Sequence, residues 1–78
     1  MNSAEHVTTL ITRMYRLAPG SVRPEVPLHQ LDIDSLALEE LRLILEDELR
    51  VDLQDANLTS RSTVGELQAL VHEKSALA

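Results

Sequence analysis

Apolar residues recur along the first stretch of the chain at helical spacing. Val7, Leu10, Ile11, Met14, Leu17 and Ala18 follow the i, i+3, i+4, i+7 rule and form one stripe. The spacing predicts a helix over about 4–17, with Ser3 as its N-cap and Pro19-Gly20 as its stop. Residues 19–34 lose the helical period and gather Pro19, Pro24 and Pro27. Proline fixes φ and removes a donor, so this stretch reads as a long ordered loop. It also carries Val22, Val26, Leu28, Leu31 and Ile33, which predicts that it packs on the core. Within it, Leu28-His29-Gln30-Leu31 suits a single helical turn.

Periodicity returns from Leu36 to Leu49, which predicts a second helix over 36–49. Leu38, Leu41, Ile44, Leu45 and Leu49 share one face. At about 100° per residue, the opposite face holds Leu36, Glu39, Glu40, Leu43, Glu46 and Asp47. Two leucines among carboxylates are not explained by the core. Glu48 falls near the inward face and needs a partner or a place at the edge. Val51-Asp52-Leu53 reads as a short extended link, and 55–59 as a short helix. Thr63-Val64-Gly65-Glu66 has the form of a capping box. Val64, Leu67, Leu70 and Val71 then stripe a last helix over about 64–75. Gly65 weakens that helix and marks a close backbone approach. No period-2 strand and no internal repeat is visible. The pattern predicts an all-α fold, a small four-helix bundle with three long helices and one short, as one domain over 1–78.

Composition narrows the partners. The chain has 78 residues, so it buries a smaller share of its surface than a large domain does. It has no Cys, hence no disulfide or thiolate site, and Tyr15 is its only aromatic residue. The core must be built from Leu, Val and Ile. Thirteen acidic residues oppose seven basic ones, for a net charge of −6. That balance disfavours nucleic acid and anionic membranes and suits a partner with a basic face. No apolar run reaches the roughly 18 residues of a membrane span, and the N-terminus lacks a signal-peptide pattern. The sequence predicts a complete, monomeric cytoplasmic protein.

Several chemistries are disfavoured by the residues. Asp32-x-Asp34 opens like a calcium loop, but Leu36, Ala37 and Leu43 stand where that loop needs an oxygen ligand, Gly and Glu. His6, His29 and His72 are far apart in sequence and read as surface side chains. A Ser-His-acid triad finds no Gly-x-Ser-x-Gly elbow and little room for a substrate pocket. The pairs Glu39/Glu40 and Glu46/Asp47 lie on an exposed face, where water screens them from acid–base tuning.

One junction remains. Leu31-Asp32-Ile33-Asp34-Ser35-Leu36 sits where the loop becomes the second helix. A helix start has unpaired N–H groups and partial positive charge, which suits a hydroxyl that will bear a phosphate. Ser35 is a candidate modification site on these grounds. The alternative is that Asp34 or Ser35 serves only as an N-cap.

This junction resembles the attachment motif of acyl and peptidyl carrier proteins, whose core is Asp-Ser-Leu. The likeness extends to Pro27-Leu28-His29-Gln30-Leu31 before it and to the acidic stretch Leu38 to Leu53 after it. It also reaches Ser62-Thr63-Val64-Gly65-Glu66-Leu67, and it covers roughly residues 7–72 in order. The resemblance implies that Ser35 receives 4′-phosphopantetheine from coenzyme A through a separate phosphopantetheinyl transferase. Asp34 would match the family's acidic neighbour of the site. The chain would then be a non-catalytic carrier, presenting its thiol to acyl- or aminoacyl-loading and condensing enzymes with basic docking faces. Leu36, Glu39, Glu40, Leu43, Glu46 and Asp47 would meet those partners.

Three residues depart from the family pattern. Asp32 and Arg50 stand where it usually has Gly, and Leu49 replaces an aromatic residue. These departures point to a free-standing carrier of polyketide or nonribosomal peptide synthesis. A fatty-acid-type acyl carrier protein and an unmodified acidic helical adaptor are the alternatives.

Overall fold

The computed structural model describes residues 3–54 and 57–76. Among them are three α-helices and no strand: α1 Ser3–Tyr15, α2 Ser35–Leu49 and α3 Val64–Ala76. Two 3-10 turns, Pro19–Ser21 and Leu28–Leu31, lie between α1 and α2. The expected short helix over 55–59 is corrected in part. Asp55 and Ala56 lie outside the described residues, and residues 57–59 carry no helix. The short helical pieces are the 3-10 turns, so the described residues form three helices with an ordered loop rather than four helices.

The first helix ends before the expected Leu17. Arg16 adopts a left-handed backbone at φ 54°, and the Leu17 N–H donates to the Thr12 carbonyl at 3.0 Å. That six-to-one bond is the signature of a Schellman cap, so the chain turns out of α1 ahead of Pro19. A left-handed residue also ends α2, where Arg50 has φ 54° and ψ 47°. The departure from Gly thus places a residue with a Cβ where Gly is least strained. Arg50→Gly should therefore stabilise the fold by about 0.5–1 kcal/mol, raising Tm by about 2–8 °C in a thermal melt.

The long loop is built into the core. Val22, Val26, Leu28, Leu31 and Ile33 are all buried. They meet Val7, Leu10 and Ile11 of α1, Leu38, Leu41 and Leu45 of α2, and Val64, Leu67 and Val71 of α3 in one aliphatic cluster. Burying each such side chain contributes about 1.5–3 kcal/mol. Backbone bonds tie the loop to the start of α3. Leu28 N–H donates to Ser62 O at 2.9 Å, Val64 N–H to Val26 O at 2.9 Å and His29 N–H to Ser60 O at 2.8 Å. Gly65 N–H donates to Pro24 O at 2.8 Å, and a Cβ on Gly65 would stand 3.0 Å from that same carbonyl oxygen. Only Gly lets the loop come this close. Thr63 and Glu66 cap α3 as the sequence predicted, with Glu66 N–H donating to Thr63 Oγ1 at 3.1 Å.

Glu48 finds the partner its inward position calls for. Its carboxylate meets His6 Nε2 at 2.7 Å and Arg13 at 3.9 Å, clasping α2 to α1. No helix among the described residues is long and apolar enough to cross a membrane.

Candidate functional site

The loop delivers its last residues to α2 through one left-handed residue. Asp32, at φ 61° and ψ 25°, closes the 3-10 turn, and its N–H donates to His29 O at 3.2 Å. Asp is tolerated in this conformation better than most L-residues. Ile33 is fully buried and anchors the chain beside Leu28, whose carbonyl accepts from Ile33 N–H at 3.2 Å. The backbone then turns outward into Asp34 and Ser35.

Asp34 takes the N-cap position. Its backbone is extended, and its Oδ1 accepts from Ala37 N–H at 2.8 Å. Ser35 is consequently the first residue of α2, with the capping role already filled. Ser35 is exposed, and its hydroxyl has no hydrogen-bond partner among the described residues. Asp34 uses one of the helix's free N–H groups, which leaves those of Ser35 and Leu36 open at the positive end of the helix. A phosphate on the Ser35 hydroxyl fits this position both electrostatically and sterically. Two other serines fit less well. Ser62 is buried and its Oγ accepts from Thr59 N–H at 3.1 Å, while Ser3 Oγ lies 3.5 Å from His72 Nδ1.

The start of α2 is held from below by a contact that periodicity did not reveal. Tyr15, at the end of α1, donates its hydroxyl to Ala37 O at 3.2 Å. Burial raises the Tyr15 pKa, and the charges of Glu40 and Asp34 add to it. The hydroxyl therefore stays protonated and remains a donor. Its being the lone aromatic residue was the signal available in the sequence.

The outer face of α2 divides into two kinds of residue. Leu36 and Leu43 are exposed, at 76% and 53%. Glu40 and Asp47 are exposed beside them. Glu39 pairs with Arg42, which sequence reasoning had passed over although it lies three residues on. Glu46 is half-buried, and its Oε2 accepts from Leu53 N–H at 2.8 Å. Its carboxylate thus holds the exit from α2, a role no local pattern announces. A groove of about 330 Å³ runs beside the junction, lined by Ser35, Leu38, Glu39, Arg42, Leu58 and Thr59. No cluster of three or more His, Cys, Asp or Glu among the described residues could hold a metal ion.

Comparison with known proteins adds one finding to this geometry. The family described as "Phosphopantetheine attachment site" matches over residues 5–71, a span that contains α2 and the Asp34–Ser35 junction. Curated proteins and solved structures yield no match. With a match over most of its length, the chain belongs to the phosphopantetheine-binding carrier family, whose cofactor is 4′-phosphopantetheine held covalently on a serine.

Proposed function

We propose that Ser35 is the attachment serine and that the chain acts as a non-catalytic carrier domain. The observation that carries this reading is the division of labour at the helix start. Asp34 caps α2, so the neighbouring Ser35 hydroxyl is exposed and unbonded. When bound, the prosthetic group supplies a thiol on a long flexible arm, which carries acyl or aminoacyl cargo as a thioester. The chain's own part is to present, orient and be recognised. Ser35 Oγ would form the new bond to phosphorus while the pyrophosphate bond of coenzyme A breaks, with adenosine 3′,5′-bisphosphate as the leaving group and the serine proton passing to the transferase. The open N–H groups of Ser35 and Leu36 favour the negative charge that results. Asp34 fixes the helix start, and Tyr15 braces it through Ala37 O.

Leu36 and Leu43, rimmed by Glu40 and Asp47, supply a docking face for partner enzymes. An apolar centre with a charged rim is the usual anatomy of such a contact. The transferase and the loading and condensing enzymes would meet it with basic surfaces. Asp32 and Arg50, both left-handed where the family pattern usually has Gly, favour polyketide or nonribosomal peptide synthesis over a fatty-acid role.

The test is intact-protein mass after incubation with coenzyme A and a broad-specificity transferase. The wild type should gain the mass of one phosphopantetheine, and Ser35→Ala should gain none while remaining helical by circular dichroism. An unmodified acidic adaptor would gain nothing in either form.

A further inference from the structure

Ser35, Glu39 and Arg42 line one groove along α2. Glu39 lies about one helical turn from Ser35 and Arg42 about two, so the three fall on a single stripe. Arg42 is the less exposed member of its ion pair, with 20% of its side-chain surface accessible against 54% for Glu39. Its guanidinium donates to Glu39 Oε1. A guanidinium carries five N–H donors, and this bond uses one of them. By reaching Glu39 the side chain extends toward the start of α2, the direction in which helical side chains lean.

We propose that Arg42 becomes the counter-ion of the phosphate once Ser35 is modified, sharing or releasing Glu39 to do so. The proposal rests on Ser35 being the attachment residue. A new anion on Ser35 stands four residues from Glu39, and like charges at that spacing oppose helix stability. Arg42 is the cation in the groove that both anions share. Arg also suits phosphate better than Lys, because its planar fork can donate two parallel bonds. A second consequence follows for recognition. Glu39 is tied to Arg42 before modification and freed toward the acidic face after it. The surface offered to partners therefore differs between the unmodified and modified forms.

The experiment compares both forms of the wild type, of Arg42→Gln and of Arg42→Gln with Glu39→Gln, with attachment at Ser35 checked by mass. The readout is the change in Tm that modification causes in each protein at low salt. Comparing two forms of one variant cancels any effect of the substitution on folding itself. Modification should lower Tm in Arg42→Gln by about 1–4 °C relative to its effect in the wild type. That extra loss should shrink when Glu39 is also Gln and vanish in 1 M salt. The phosphorus NMR signal of the modified protein should also move between wild type and Arg42→Gln. Equal Tm changes and an unmoved phosphorus signal, with Ser35 modified in both, would overturn the counter-ion role and leave the attachment site standing. Absence of any mass gain at Ser35 would overturn the attachment site and this proposal with it.

Discussion

Leu41→Ala is expected to lower the unfolding free energy by about 2–5 kcal/mol, and Leu43→Ala by less than about 0.5 kcal/mol. The two leucines are neighbours on α2 and differ only in what they face. Leu41 is fully buried in the aliphatic cluster, whereas Leu43 keeps 53% of its surface accessible. Cutting Leu41 removes apolar contacts and leaves a cavity, and a chain this small has a net stability of only about 5 kcal/mol to lose. Cutting Leu43 removes surface that water already reaches. Urea unfolding of both variants, with Leu36→Ala as a second exposed control, measures the difference. Transferase loading assayed on the same samples gives the functional half. Leu36→Ala and Leu43→Ala should keep their stability and load more slowly, because they sit at the centre of the proposed docking face. If Leu43→Ala unfolded as readily as Leu41→Ala, the outward face of α2 would be wrongly drawn.

Glu40→Lys combined with Asp47→Lys is expected to slow loading by about tenfold or more at low salt. From Asp32 to Asp55 the chain carries nine acidic residues against only Arg42 and Arg50. That asymmetry should steer a basic partner toward Ser35. These two positions are chosen because their carboxylates are exposed. Glu39 is paired with Arg42 and Glu46 holds the Leu53 N–H, so changing either would mix folding with docking. Added salt should slow the wild type and leave the doubly reversed variant nearly unchanged, since screening acts on the attraction that the variant has lost. Loading rates indifferent to both salt and reversal would make the acidic face a solvated surface with no part in recognition.

The three long helices were legible because each buries a stripe at helical period. The capping box at Thr63 and Glu66 was legible because its signal is local. Gly65 was likewise readable as a close approach, and the contact proved to be the Pro24 carbonyl. What escaped the sequence depends on backbone conformation or on contacts between distant residues. The end of α1 at Tyr15 was missed because Arg16 enters the left-handed region, which nothing in an Arg foretells. The short helix expected over 55–59 rested on five residues, too few for periodicity to decide. Glu46 looked like any other carboxylate of the outer face until the exit loop brought Leu53 N–H to it. At the site itself, the sequence left open whether Asp34 or Ser35 was the cap. The Asp34 Oδ1 to Ala37 N–H bond answers that question and is what frees the Ser35 hydroxyl.

The most direct measurement of the central claim is fragment mapping of the modified protein. Trypsin releases the peptide from Leu17 to Arg42, since the Arg23-Pro24 bond resists cleavage, and that peptide contains two serines, Ser21 and Ser35. Fragment ions should place the whole phosphopantetheine mass on Ser35, with the ions that contain Ser21 but not Ser35 unshifted. Finding the added mass on Ser21, or on any peptide other than this one, would contradict the account.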